Sequence, residues 1–276
     1  MSKPVWRLVN TGSLDGAMNM AVDEAILNAH TERNVPPTIR FYAWNIPTLS
    51  IGYFQRVERE VNLHRVREKG VGFVRRATGG RAVLHDQELT YSIVVSEDYP
   101  GIPQTVTESY RLFSQGLLEG FRALGLEADL VSLDKESSKE KKGESAACFD
   151  SPSWYELVVE GRKVAGSAQT RQRGTILQHG SILLDMDVEL LFSLLKFRSE
   201  RRKQRLKQAF SGKAVAINEL TASPVTWEKA VEAFTTGFSK GMDIELQPEP
   251  LTPEERAMAV ELAATKYGTE EWNMKL

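Results

Sequence analysis

Residues Arg75-Arg76-Ala77-Thr78-Gly79-Gly80-Arg81-Ala82-Val83-Leu84-His85-Asp86 place a glycine turn between two apolar, strand-like runs. No other stretch limits the fold as much. A turn of this composition brings bare backbone N–H groups against a ligand, because glycine has no side chain to hold the ligand off. Arg75, Arg76 and Arg81 surround it, so the ligand it suits is anionic or carries a carbonyl. The runs on either side, Val71 to Arg75 and Ala82 to Val95, demand neighbouring strands. Far downstream lie Gly161-Arg162-Lys163-Val164-Ala165-Gly166-Ser167 and the only cysteine, Cys148. The three features together point to acyl chemistry.

Around these motifs the chain reads as a mixed α/β (α+β) fold, with a mixed β-sheet flanked by helices. Trp6 to Val9 opens as a strand, and Asp15 to His30 has apolar residues at helical spacing. Ile39 to Ala43 and Thr48 to Phe54 are expected as a strand pair. A charged helix is expected from Glu58 to Lys69, stopped by Gly70. Val106 to Leu124 predicts an amphipathic helix on the stripe Tyr110, Phe113, Leu117, Leu118 and Phe121. Asp134 to Ser145 has the composition of a surface loop. Strands are expected at Tyr155 to Val159, Arg162 to Gln169 and Thr175 to Leu184. Helices are expected from Asp187 to Phe210, Trp227 to Lys240 and Pro253 to Lys266. This order lacks the regular alternation of a doubly wound parallel fold.

At 276 residues the chain can bury a substantial core. Its net charge of −2 argues against a dedicated nucleic-acid binder. No apolar run approaches the roughly 20 residues of a membrane span, and Met1 to Trp6 is not expected to act as a signal peptide. A lone cysteine forms no internal disulfide, which fits a reducing cytoplasm.

Several side chains could carry chemistry, each with a plainer reading beside it. A lone Cys148 is ordinarily a small buried hydrophobe, yet it lies where a polar stretch meets folded structure, and its thiolate would be a strong nucleophile toward a thioester. Lys163 could be an exposed hairpin lysine. On the small-residue strand Val164-Ala165-Gly166-Ser167-Ala168 it could instead stabilise a thiolate or a developing oxyanion. His85 and His179 each suit a structural role as well as a functional one. No Cys/His cluster has metal-ligand spacing, so no metal site is expected, and Gly79-Gly80 matches neither a Walker loop nor a dinucleotide fingerprint. Lys196, Arg198, Arg201, Arg202, Lys203, Arg205 and Lys207 form either a solvated helix face or a dock for an acidic partner.

The segments RRATGGRAVLHD, ELTYS and GRKVAGSAQ together resemble the biotin/lipoate protein ligase and octanoyltransferase superfamily, over most of the chain from Trp6 onward. Where lipoate ligases of that superfamily usually carry Gly-Arg-Asn-Asp, this chain reads Cys148-Phe149-Asp150-Ser151. The run CFDSPSWYELVVEGRKVAGSAQTR resembles the LipM-type octanoyltransferases. The resemblance implies a biotin/lipoate ligase-like catalytic domain over residues 1–248, with its core at about 33–248, and a C-terminal helical extension over 249–276. It implies catalysis by Cys148, as an acyl thioester, and by Lys163. Substrate contacts are implied for Arg75, Arg76, Thr78, Gly79, Gly80, Arg81, His85, Gly166 and Ser167. It further implies a cytoplasmic monomer that needs no cofactor. Octanoyl-acyl carrier protein would be the donor, and an apo lipoyl domain such as the glycine cleavage H protein the acceptor. The alternatives are an ATP-dependent lipoate or octanoate ligase, an octanoyl amidotransferase between lipoyl domains, and a catalytically idle lipoyl-domain binder.

Overall fold

The computed structural model describes residues 2–132 and 155–276. In chain order the elements are β1 (Val5–Leu14), α1 (Gly16–Thr31), β2 (Thr38–Trp44), β3 (Thr48–Ile51), α2 (Val57–Glu60), α3 (Leu63–Glu68), β4 (Gly72–Arg75), β5 (Val83–His85), β6 (Glu88–Ser96), α4 (Val106–Ala123) and β7 (Ala128–Ser132). After them come β8 (Tyr155–Val159), β9 (Arg162–Gln172), β10 (Thr175–Leu183), α5 (Val188–Leu194), α6 (Glu200–Ser211), α7 (Trp227–Gly241), β11 (Glu245–Pro248), α8 (Pro253–Leu262) and α9 (Glu270–Met274).

Eight strands form one sheet in the order β11-β1-β2-β6-β10-β9-β8-β7, and β4-β3-β5 form a second. The large sheet is mixed, as expected. β1 runs parallel to β11 and β2, and the remaining neighbours are antiparallel. Side chains alternate faces along a strand, so one face of this sheet turns Ile39, Phe41, Tyr91, Ile93, Ile176 and Ile182 into a core shared with α4 and α7. The other face, carrying Tyr42, Trp44, Val94 and Leu177, packs on α1.

α4 and α7 approach closely because glycines line their contact. A Cβ on Gly237 would collide with the backbone of Gly120, and one on Gly241 with that of Gln115. The expected stripe on α4 is real, with Phe113, Leu117 and Phe121 fully buried. Gly116 and Gly120, one turn apart, decide how near α7 can come.

Four expectations change. The Ile39–Ala43 and Thr48–Phe54 segments do not pair with each other, because β2 joins the large sheet and β3 the small one. The long strand after the glycine turn breaks at Asp86-Gln87 for the same reason, giving β5 to one sheet and β6 to the other. The charged helix is interrupted at Val61, whose extended backbone bridges Leu195, and this bridge also divides α5 from α6. Hydrophobic periodicity had no way to register a switch of sheet partner in mid-run.

The last residues are tied firmly to the rest. Glu255 of α8 takes a two-pronged ion pair from Arg7 of β1, at 2.9 and 2.5 Å, with both side chains buried. α8 packs along α1, and α9 reaches the edge of the small sheet through Asn273. No described helix is long and apolar enough to cross a membrane.

Candidate active site

Between the α1-facing side of the large sheet and the small sheet lies a cleft of about 350 Å³. Its floor comes from adjacent strands: Tyr42 and Trp44 of β2, Thr90 of β6, His179 to Ser181 of β10, and Gly166 to Ala168 of β9. Met20 of α1 closes one side, and Arg76, Val83 and His85 roof it. The roof is therefore the expected glycine-turn segment, and part of the floor is the expected downstream motif. Residues about 90 positions apart in the sequence meet across one cavity.

Two buried polar relays hold the roof to the floor. In the first, Arg76 donates to Ser50 Oγ at 2.6 Å, and Ser50 Oγ bonds His85 Nε2 at 2.6 Å. His85 Nδ1 lies 2.7 Å from Glu88 Oε1, so its proton points at the carboxylate. Thr90 and Ser181 also donate to Glu88, and the Trp44 indole donates to Thr90 at 2.8 Å. The Trp44 and His85 rings stack, with centroids 4.1 Å apart.

In the second relay, Thr78 Oγ1 bonds His179 Nε2 at 2.6 Å, and His179 Nδ1 faces Asp23 Oδ2 at 3.4 Å. A carboxylate only accepts, so Nδ1 carries the proton and Nε2 accepts from the threonine hydroxyl. Asp23 also accepts from Arg40 and Ser92, both at 2.7 Å, and from Tyr42 at 3.0 Å. Burial would raise the Asp23 carboxyl, but Arg40, His179 and Ser92 together outweigh it and hold the group below its ordinary value. Burial pulls His179 down, against the opposing pull of Asp23, and so favours the neutral ring.

The glycine turn itself is gripped from both sides. Arg76 donates to the carbonyls of Gly79 and Arg81, each at 3.0 Å. The Tyr53 N–H donates to the Thr78 carbonyl at 2.8 Å. Gly80 has φ +99°, a backbone region that suits glycine, and a Cβ on Gly52 would strike the Gly80 carbonyl. Arg81 stands partly exposed at the rim, 3.5 Å from Glu60.

Arg75 stays out of the cleft. Its guanidinium is taken up by the carbonyls of Gly52, Tyr53, Gln55, Trp272, Asn273 and Lys275. It braces the C-terminal residues against the loop beside the glycine turn.

Lys163 sits three residues before Gly166, within roughly 10 Å along the strand. A bulge at Val164 sets Lys163 opposite Val158, on the face that carries Gly166 and Ala168, while Leu157 and Ala165 turn to the opposite core. Only 5% of its surface is exposed. Its ammonium donates to Glu156 Oε1 at 3.3 Å. Its backbone is held on the other side by the Lys213 carbonyl at 2.6 Å and the Val215 N–H at 3.0 Å. A cation buried this way must be paired. Ser167 bonds the Tyr91 hydroxyl at 2.7 Å, and a Cβ on Gly180 would press on Tyr91, Gly166 and Ser167. Cys148 lies outside the described residues, as does the Asp134–Ser145 stretch.

The structure thus brings Arg76, His85, Gly166 and Ser167 to one cleft, ties Thr78 and Gly79 to its lining residues His179 and Arg76 with Gly80 next along the turn, and sets Lys163 farther along the same strand face. Sequence reasoning missed Asp23, Arg40, Ser50, Glu88 and Glu156. Two left a trace: Asp23 interrupts the apolar positions of α1, and Arg40 interrupts the apolar β2. An acid and a base in separate buried segments are natural partners. Among the described residues, no group of His, Cys, Asp and Glu is arranged to hold a metal ion.

A family model described as the lipoyl protein ligase A/B catalytic domain matches residues 15–239. Octanoyltransferase LipM of Brevibacillus brevis is 62% identical over 272 residues, covering 98% of this chain and 99% of that protein. Octanoyltransferase LipM of Geobacillus kaustophilus is 61% identical over 277 residues, covering 100% of both. A bi-partite lipoate protein ligase of Thermoplasma acidophilum has a similar structure, with a TM-score of 0.79 at 27% identity, covering 99% of this chain and 96% of that one.

Proposed function

This chain belongs to the lipoyl protein ligase A/B catalytic-domain family, and within it to the LipM octanoyltransferases; starting from that acyltransferase activity in protein lipoylation, we propose that transfer proceeds in two steps through Cys148. The Cys148 thiolate attacks the carbonyl carbon of octanoyl-acyl carrier protein. A new C–S bond forms, and the pantetheine thiolate leaves and takes up a proton. The target lysine of an apo lipoyl domain, such as the glycine cleavage H protein, then attacks this acyl-enzyme as a free amine. The amide forms and the Cys148 thiolate is released. The thioester supplies the activation, so neither step needs ATP. The enzyme acts as a monomer in the cytoplasm.

Lys163 carries this reading. A buried ammonium on the cleft face supplies positive charge for a thiolate and for the oxyanion of each tetrahedral intermediate. Gly79, Gly80 and Gly166 offer backbone N–H groups for the same oxyanion, while Arg76, Thr78, Arg81, His85 and Ser167 shape the acyl site around them. In the first step Lys163 gives a proton to the leaving pantetheine thiolate, and as the neutral amine it then takes the proton that the incoming ammonium must lose. Arg75 supports the site from behind.

Intact mass spectrometry after mixing with octanoyl-acyl carrier protein, without ATP, tests the proposal. The expected result is a gain of one octanoyl group that hydroxylamine removes and that Cys148→Ala abolishes. An unmodified wild-type protein, or an adduct that survives Cys148→Ala, overturns it. Modification that requires octanoate and ATP would favour the ligase alternative.

A further inference from the structure

The basic stretch around α6 has no part in the chemistry above, and the tertiary structure builds it into a groove. Leu206 and Phe210 bury one side of α6 in the core below the small sheet, which leaves its charged side outward. Beside it runs α3, and between them lies an open groove of about 1120 Å³ whose lining includes Arg65, Lys69, Lys196 and Lys203. Among the described residues, Glu200 is the only acid in that lining. Arg65 is paired with Glu68 at 2.8 Å, and Lys196 donates to the Glu58 carbonyl. Lys69, Arg198, Arg201 and Lys203 make no ion pair among the described residues. On a chain of net charge −2 this is a local concentration of positive charge. Like charges crowded on one helix repel, and an acidic surface laid over the groove relieves that repulsion.

We propose that the groove between α3 and α6 docks the acidic acyl carrier protein that brings the octanoyl thioester, a role that rests on the two-step reading above. The choice of donor over acceptor follows from reach. α6 leads directly into Lys213 to Val215, the segment that clamps Lys163 through two backbone hydrogen bonds. The groove lies toward the other end of that helix, and from Lys203 to Ser211 alone is about 12 Å at 1.5 Å per residue. A carrier protein presents its thioester on a long, flexible pantetheine arm that spans such a gap. A lipoyl domain presents a lysine on a four-carbon stem, so it must bring its own surface up to the acyl-enzyme. The donor can therefore dock at a distance, and the acceptor cannot.

The test compares two donors on wild type and on the Lys69→Glu/Lys203→Glu double variant: octanoyl-acyl carrier protein, and octanoyl-pantetheine, which has the arm without the protein. The expected result is a rise of roughly tenfold in KM for the carrier-borne donor with kcat little changed. Acylation by octanoyl-pantetheine and KM for the apo lipoyl domain should stay at wild-type values. Added salt should raise the wild-type KM toward that of the variant. Activity with octanoyl-pantetheine also reports that the variant is folded. An unchanged KM for the carrier-borne donor, or a rise in KM for the lipoyl domain in its place, overturns the docking proposal alone. If neither thioester acylates the wild type, the two-step reading fails and the docking role goes with it. If the double variant does not fold, Lys203→Glu alone is put through the same comparison and judged by the same outcomes.

Discussion

The large sheet has two faces built from the same strands, and they do different things. Toward α4 and α7 it presents Ile39, Phe41, Ile93 and Ile182, and the helices above come close through Gly116, Gly120 and Gly237. Toward α1 and the small sheet it presents Thr90, Ser92, His179 and Ser181, all engaged in hydrogen bonds that lead to Asp23 or Glu88. The first face excludes water and gains stability from apolar burial. The second also excludes water, but it keeps a set of dipoles and charges in a fixed arrangement around a cavity. A fully satisfied buried network of this kind defines one geometry more sharply than it adds stability. The first face should therefore answer to stability measurements, and the second to both stability and catalysis.

The largest expected effect is on the polar face. Asp23→Ala leaves the Arg40 guanidinium buried without its carboxylate and should destabilise the protein by about 3–5 kcal/mol. Chemical denaturation measures this. A loss below ~1 kcal/mol would mean that Arg40 finds another partner. On the apolar face, Gly237→Ala forces α7 away from Gly120 and should cost about 1–3 kcal/mol. Because Gly237 does not line the cleft, kcat/KM of the folded protein should remain within about twofold of wild type, a shift well under 1 kcal/mol. A tenfold loss of kcat/KM would break the distinction between the faces.

Thr78→Val removes the hydroxyl that joins the glycine turn to His179. Stability should fall by only about 1 kcal/mol, yet the roof of the cleft loses its anchor, so kcat/KM should fall by more than that stability change alone would suggest. Equal losses in both would make Thr78 a structural residue only.

The smallest effect is in pH dependence. The folded-state pKa of His179 is depressed, so the unfolded chain binds its proton more readily. Stability from this residue is present above the unfolded value near 6.5 and declines as pH falls below it, with a slope of at most one proton. His30, also depressed by burial, contributes in the same direction. Asp23 acts only in the acid range below its ordinary value. Thermal unfolding between pH 7.5 and 5.5, bracketing the histidine range, should be less pH-dependent in His179→Gln than in wild type. An identical profile would show that folding leaves the His179 pKa unshifted.

Much of the site could be read in the sequence because it sits in two short local motifs. Gly79-Gly80 marks a turn by its own backbone requirements, and Lys163 is conspicuous beside Gly166 on a strand of small residues. Of the acids that organise the cleft, only Asp23 left a trace, as a charge among the apolar positions of α1. Asp23 becomes important only where α1 is brought to a histidine on a distant strand, and Glu88 only where the break at Asp86-Gln87 turns it back onto His85. Glu156 reaches Lys163 only through the strand bulge at Val164. Arg75 taught the opposite lesson: it looks like a ligand contact beside the turn, and six backbone carbonyls claim it for support.

Composition and local pattern were enough to determine that this chain forms a mixed sheet with flanking helices, and to mark the two segments that meet at the cleft. These properties depend on side-chain period and glycine geometry, which act within a few residues. Which strands share a sheet, how closely α4 meets α7, where each buried charge finds its counter-charge, and that α3 lies beside α6 were decided only by the tertiary structure. Those outcomes depend on contacts between distant segments, and no local stretch of sequence contains the energy of a contact with a partner it has not yet met.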